Sequence, residues 1–132
     1  MLKVLIIEDN KHLQRIYWEY LKEKGFEPEI CSLQKDLDFQ LEKTDVVISD
    51  WKLEEMGIRD AKFILERALG KGKKVIVVSG EIDQIPKKIR EKVHLLKKPI
   101  SWLELENLLT RISAQLFKQE LEDLYEPLRR KA

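Results

Sequence analysis

The sequence predicts an α/β fold, a (βα)5 chain with a doubly wound parallel sheet, and three observations carry that expectation. Short apolar runs alternate with longer segments whose apolar residues recur at helical spacing. The runs Val4-Leu5-Ile6-Ile7, Val46-Val47-Ile48 and Val75-Ile76-Val77-Val78 are apolar throughout, as strands covered on both faces must be. Each run also ends on a charged or hydroxyl residue: Glu8-Asp9, Ser49-Asp50, Ser79, and Lys98-Pro99 after Val93 to Lys97. Ligands of open parallel sheets bind outside the carboxyl ends of the strands, so these endings mark the expected site.

After the first strand, Leu13, Ile16, Tyr17, Tyr20 and Leu21 share one face of a helix that stops at Gly25. A second strand follows over Phe26 to Cys31. Pro28 cannot donate to a ladder, which assigns this strand to a sheet edge. Ser32 is expected to cap a second helix carrying Leu33, Leu37 and Leu41. The third strand is Asp45 to Ser49, followed by a loop through Gly57. Asp60 is expected to cap the next helix, with Ala61, Ile64, Leu65, Ala68 and Leu69 on one face and Gly70 at its end. Lys74 to Val78 forms the fourth strand. A short helix with Ile82, Ile85 and Ile89 comes next, and Pro86 fits only in its first turn. Val93 to Lys97 is the fifth strand, and Ser101-Trp102-Leu103-Glu104 reads as a capping box that opens the last helix. With strand 2 at an edge, the order 2-1-3-4-5 follows. It sets the ends of strands 1 and 3 side by side, where Glu8, Asp9 and Asp50 meet.

A chain of 132 residues with 43% hydrophobic and 37% charged residues is a globular domain able to bury a core. A net charge of +1 excludes the strong basic excess of a dedicated nucleic-acid binder. Lys and Glu dominate the charge, a bias seen in hyperthermophile proteins. Cys31 stands alone, so no internal disulfide forms, and a reducing cytoplasm fits. It reads as a buried structural thiol. No segment has the flanks of a signal peptide or the roughly 20 apolar residues of a membrane span. The expected location is cytoplasmic.

Three carboxylates at one sheet edge repel one another and raise some of their own pKa values. A hard cation removes the conflict, and Mg²⁺ is suited to a few carboxylates completed by water and phosphate oxygens. Glu8, Asp9 and Asp50 are the expected metal ligands. Asp50 is also the candidate nucleophile, because carboxylates form acyl phosphates. The equatorial oxygens of an in-line transfer need charge neutralisation, for which Mg²⁺, the Lys98 ammonium and the Ser79 hydroxyl are available.

On these residues the chain resembles the receiver domain of two-component response regulators, chemotaxis-type single-domain receivers in particular. The resemblance covers residues 1–115 and implies a flavodoxin-like fold, for which the 2-1-3-4-5 order is long established. It implies that Glu8 and Asp9 are the acidic pair, Asp50 the phospho-acceptor, Ser79 the switch hydroxyl, and Lys98 the lysine of the Lys-Pro motif. Pro99 selects Lys98 over Lys97, and the family often has a cis bond there. It further implies a sensor histidine kinase or phosphotransfer protein as donor, a downstream protein as target, and no catalysis beyond the chain's own phosphorylation and dephosphorylation. Asp50-Trp51 and Met56 also sit as in chemotaxis-type receivers, and Trp51 offers a reporter beside the acceptor. Lys52 and Glu81 occupy the two variable positions flanking the acceptor; a pair there would hinder attacking water. Gly80 supplies the small residue wanted beside a phosphoryl group.

The departures concern output. The loop after Asp50 carries Glu54 where the family usually has proline and Ile58 where it has glycine, with Gly57 one residue earlier. Leu95 stands at the aromatic switch position and cannot hydrogen-bond, so switching is expected to work through helix 4 movement and apolar repacking. A phosphorylation-independent adaptor on the same fold is the alternative. An aspartate-based phosphohydrolase lacks support, since Asp50 is followed by Trp51-Lys52 rather than a second aspartate two residues on. A flavin phosphate would meet Glu8-Asp9 after strand 1. His12 and His94 show no metal-ligand spacing, and His94 lies inside a strand. Trp18 and Trp102 read as packing or surface residues of their helices.

Leu105, Leu108, Leu109, Ile112 and Leu116 give the core-facing stripe of the last helix. Apolar spacing continues through Phe117, Leu121, Leu124 and Leu128 until Pro127 ends or bends the element. Residues 116–132 therefore read as a helical extension of the 1–115 domain. Three roles are open to it: capping the receiver, pairing with a second copy, or opening a linker to an output domain. An amphipathic extension with nothing to cover tends to find a partner, which favours a homodimer or partner docking over intramolecular packing. Arg129-Arg130-Lys131 is too short for a nucleic-acid argument.

Overall fold

A computed structural model describes residues 1–32, 36–53 and 57–131, with side chains for all of these except 57–60, 130 and 131. The elements are β1 (Lys3–Ile7), α1 (Lys11–Glu23), β2 (Glu27–Ile30), α2 (Leu37–Glu42), β3 (Val46–Asp50), α3 (Gly57–Gly70), β4 (Lys74–Ser79), α4 (Lys87–Arg90), β5 (His94–Lys97) and α5 (Trp102–Lys131). The described strands form one parallel sheet in the order β2-β1-β3-β4-β5, as the alternating pattern and the edge proline predict. By compactness the chain divides into Met1–Ile100 and Ser101–Ala132.

Register explains the place of Pro28. The Glu27 amide donates to the Leu2 carbonyl at 2.9 Å and the Cys31 amide to the Ile6 carbonyl at 2.8 Å. Amides of that parity face β1, so the nitrogen of Pro28 faces the open edge and no ladder bond is lost.

Strand alternation sorts the apolar residues between two faces. Leu5, Ile7, Val47, Val75 and Val77 join Leu41 of α2, Ile64, Leu65 and Ala68 of α3, and Ile85 and Ile89 in one core cluster. Val4, Ile6, Val46, Ile48, Ile76 and Val78 face the other way and are equally buried. Both faces of the central strands β1, β3 and β4 are thus dry, which is why their interiors are apolar, whereas the edge strand β2, half-buried throughout, carries Glu27 and Glu29.

Helix ends depart from the sequence expectations in instructive ways. Asn10 caps α1, its side-chain oxygen accepting from the Leu13 amide at 3.0 Å. The α1 exit is a left-handed turn at Gly25, with the Phe26 amide on the Leu21 carbonyl and the Gly25 amide on the Lys22 carbonyl. The same motif closes α3, whose last residue is Gly70 as expected, and the left-handed residue of the turn that follows is Gly72. Asp36, not Ser32, caps α2; its carboxylate accepts from the Asp38 amide at 3.0 Å. Leu33, expected on that helix, lies outside the described residues. Asp60 lies within α3, which begins at Gly57. Ile16, predicted for the buried face of α1, is 36% exposed.

The predicted helix over Ile82 to Ile89 is two pieces. A single 3-10 turn spans Ile82–Gln84, Ile85 is extended at ψ 127°, and α4 starts after Pro86. The ring of Pro86 disfavours helical backbone in the residue before it, which forces the break at Ile85. The capping box of α5 forms as predicted, the Glu104 amide donating to the Ser101 hydroxyl at 3.2 Å. Within α5, Leu105, Leu108, Leu109 and Ile112 are buried and Leu116 is half-buried. The helix passes residue 115 without interruption.

Candidate functional site at the carboxyl edge of the sheet

Pairing of β1 with β3 and of β3 with β4 puts the last residues of three strands at one edge. Ile7 is level with Ser49, and Asp50 with Val78, so Glu8, Asp50 and Ser79 leave the sheet together. Glu8, Asp50 and Ser79 are all buried, an unusual state for two carboxylates that calls for partners.

Asp50 has them. Its Oδ1 accepts from the Lys52 amide at 3.1 Å, and its Oδ2 accepts from Lys98 Nζ at 2.5 Å. The backbone carries the lysine there: the Lys98 amide donates to the Ser79 carbonyl at 3.0 Å, joining the ends of β4 and β5, and the Lys98–Pro99 bond is cis. Ser79 Oγ accepts from the Glu81 amide at 3.0 Å. That bond uses the oxygen as acceptor and leaves the hydroxyl hydrogen available to a ligand. A cleft of about 230 Å³ opens beside these groups, lined by Asp50, Lys52, Ser79, Gly80, Glu81 and Lys98. A Cβ added to Gly80 would meet nothing within 4 Å, so the cleft floor is open there.

Lys52 Nζ meets Glu81 Oε2 at 3.0 Å. The two variable positions flanking Asp50 therefore hold an ion pair at the rim of the cleft. Both side chains are about half exposed, so the pair matters more as an obstacle in the opening than as a source of stability.

Glu8 lies across from this lysine-bound carboxylate. Its pKa is pushed up to about 7, first by burial, then by the Asp50 and Asp9 charges; the Asn10 amide and Lys98 offset only part of this. Gln14 Nε2 donates to the Glu8 backbone carbonyl and pins the turn. Asp9 is half-exposed beside it. Burial and the nearby Glu8 and Asp50 charges also hold the Tyr17 hydroxyl firmly protonated.

The donor set fits a hard cation. It offers oxygen ligands only, and the Glu8 carboxyl, raised first by burial and then by the Asp50 and Asp9 charges, would ionise more readily beside a cation. Among the described residues no three carboxylate, histidine or cysteine side chains stand close enough to form a ready cage. A Mg²⁺ ion there would thus take one or two of Glu8, Asp9 and Asp50 and complete its shell with water.

The other residues singled out by sequence are placed as follows. Trp51 is buried, its amide on the Val78 carbonyl at 3.1 Å, whereas Trp18 is exposed and Trp102 half-buried. Leu95 is half-buried and packs on the core cluster, so the aromatic switch position is filled by an aliphatic core contact. His94 is in β5 opposite Ile76, and His12 is exposed on α1. Cys31 is half-buried, and burial pushes its thiol up to about 11. Residues 54–56, including Glu54 and Met56 of the atypical loop, lie outside the described residues, as do the side chains of Gly57 and Ile58. Sequence reasoning did not find Tyr17 as a neighbour of the acidic site. Its place on the apolar face of α1 read only as core, and helical periodicity says nothing about what lies beyond the tyrosine ring.

No protein-family model and no curated protein match the sequence. Solved structures do. A response regulator receiver domain protein from Clostridium thermocellum is 22% identical, with a TM-score of 0.65 over 92% of this chain and 98% of the other. A CheY-like receiver domain from Methylobacillus flagellatus is 23% identical, with a TM-score of 0.66 over 85% and 98% of the two chains. A CheY-like receiver domain protein from Methanospirillum hungatei is 24% identical, with a TM-score of 0.61 over 92% and 98%. The chain has the receiver-domain fold, a flavodoxin-like (βα)5 sheet with a long C-terminal helix. Among the described residues no helix is long and apolar enough to cross a membrane.

Proposed function

We propose that this chain is a response regulator receiver in which Asp50 takes a phosphoryl group from a histidine kinase or phosphotransfer protein. The observation that carries the reading is the state of Asp50. It is a buried carboxylate at a strand end, held by Lys98, with an open cleft beside it and a hydroxyl and a glycine on the cleft wall. An ordinary structural aspartate has no need of such a cleft. A carboxylate oxygen attacks phosphorus as the bond to the donor nitrogen breaks, giving an acyl phosphate and the free imidazole. Lys98, freed from one carboxylate oxygen, follows the charge onto the phosphoryl group, and the Ser79 hydroxyl donates to another of its oxygens. One or two of Glu8, Asp9 and Asp50 would hold a Mg²⁺ ion, which when bound would supply positive charge against those same oxygens.

In this reading residues 1–115 are the receiver and 116–132 its helical extension. The protein is cytoplasmic, acts on no substrate but itself, and passes its state to a downstream protein. A second copy, met through α5, is a further partner. Leu95 favours one competing reading. An aliphatic residue packed on the core has no polar group to follow Ser79, as a phosphorylation-independent adaptor would allow. Intact mass after incubation with Mg²⁺ and acetyl phosphate separates the two. One added phosphoryl group, absent from Asp50→Ala, is expected. No adduct, and no binding of a beryllofluoride mimic, would leave the adaptor.

A further inference from the structure

The apolar residues of the α5 tail do not continue its buried stripe. Leu105, Leu108, Leu109 and Ile112 define one side of the helix and are buried. Phe117, Leu121, Leu124 and Leu128 fall roughly 150° away around the helix at about 100° per residue, and they are 62%, 39%, 67% and 61% exposed. Leu103, at the start of the helix and 65% exposed, lies on that same far side. The apolar spacing read past Leu116 thus belongs to a second apolar face of α5, and that face is open to solvent.

The spacing of the second face is a heptad. With Leu121 and Leu128 at a positions, Phe117 and Leu124 stand at d, a 4-3-4 step that keeps a 3.5-residue seam. Extended backward, the seam runs through Ala114, Thr110 and Asn107 to Leu103, all exposed. It covers about four heptads. A helix meeting only water gains nothing from holding this register, whereas a second helix closes it.

We propose that the exposed face of α5 pairs with α5 of a second copy as a parallel, in-register two-stranded coiled coil. Charge assigns the orientation. The e positions are Glu104, Arg111, Lys118 and Tyr125, and the g positions are Glu106, Ser113, Glu120 and Pro127. A parallel pair sets each g against the e five residues on in the other copy. That gives Glu106 with Arg111, Ser113 with Lys118, and Glu120 with the Tyr125 hydroxyl, attractive or neutral at every step. An antiparallel pair over the same length sets Arg111 against Lys118 twice near its centre, cation on cation. Asn107 points the same way, since an asparagine at an a position finds its own kind only in the parallel register. Pro127 falls at g, so its ring and missing N–H stay off the seam. The pairing is independent of the phosphoryl chemistry and is measured without any phosphodonor.

The test is sedimentation equilibrium on the full chain across roughly 10 to 200 μM, a range suited to an interface of modest size. The apparent mass is expected to rise toward twice that of the chain. Leu124→Glu, a change at an exposed position, is expected to hold the single-chain mass throughout with unaltered helical circular dichroism. Leu121→Cys is expected to give a covalent dimer under mild oxidation, because only the parallel register sets residue 121 against itself; the wild type, with Cys31 half-buried, serves as control. A single-chain mass at every concentration would leave the face to some other protein and overturn the proposal. So would a dimer that survives Leu124→Glu, or one in which Leu121→Cys does not cross-link.

Discussion

Glu8→Gln should stabilise the metal-free protein at pH 8 while doing almost nothing at pH 4.5. The carboxyl pKa is raised from 4.5 to about 7, by burial first and then by Asp50 and Asp9, so the native state holds this proton more tightly than the unfolded chain does. Its contribution to stability is complete below the unfolded value of 4.5 and is lost as pH rises through about 7. Above pH 7 the ionised carboxylate is a net cost. At about 1.36 kcal/mol per unit the full shift corresponds to roughly 3 kcal/mol, and screening by water at the mouth of the site reduces it to roughly 1.5–3 kcal/mol. Glutamine keeps the shape and carries no charge, so it removes that cost. For a domain of this length the gain corresponds to about 5–10 °C in Tm. The assay is thermal unfolding followed by circular dichroism in EDTA, wild type against variant, at both pH values. Saturating Mg²⁺ should then close the gap by stabilising the wild type alone. Equal gains at the two pH values, or a less stable variant at pH 8, would refute the electrostatic account of this edge.

Lys98→Ala removes the cation from Asp50 Oδ2 and should slow phosphorylation by about 100-fold or more, read as the rate of mass gain with acetyl phosphate. Lys52→Ala breaks a half-exposed ion pair, so stability should change by less than about 0.5 kcal/mol while loss of the phosphoryl group speeds several-fold. An unchanged dephosphorylation rate would show that the pair does not obstruct water. Leu65→Ala opens a cavity at a fully buried position of α3 and should cost roughly 3–4 kcal/mol in urea unfolding, a large share of an ordinary domain's stability.

The helix boundaries show where local sequence reasoning holds and where it gives way. Gly25 is where the chain turns left-handed after α1, a conformation glycine adopts freely, and the Phe26 amide closes the motif on the Leu21 carbonyl. After α3 two glycines were available, and Gly70 and Gly72 are equally permissive as residues. What selects Gly72 is the Lys73 amide reaching the Ala68 carbonyl, a bond set by where β4 must begin. Ser32 and Asp36 compete for one helix start in the same way. The break at Ile85 needs no tertiary information, since the proline after it was in plain view.

The sequence by itself determined the sheet, its order and the residues that gather at its edge. Short apolar runs alternating with helical patterns read as buried strands, a proline places β2 at the rim, and the central strands β1, β3 and β4 lead into polar residues at their carboxyl ends. Those are local rules acting on contiguous residues. Only the tertiary structure decided how the gathered groups meet: Lys98 on one oxygen of Asp50, Glu8 pushed toward its protonated form by burial first, and Tyr17 near both carboxylates. It also decided that the apolar residues of the α5 tail are exposed while those of the first stripe are buried. Each is a contact between distant segments or a consequence of burial, and both depend on distances that the spacing of residues along the chain does not contain.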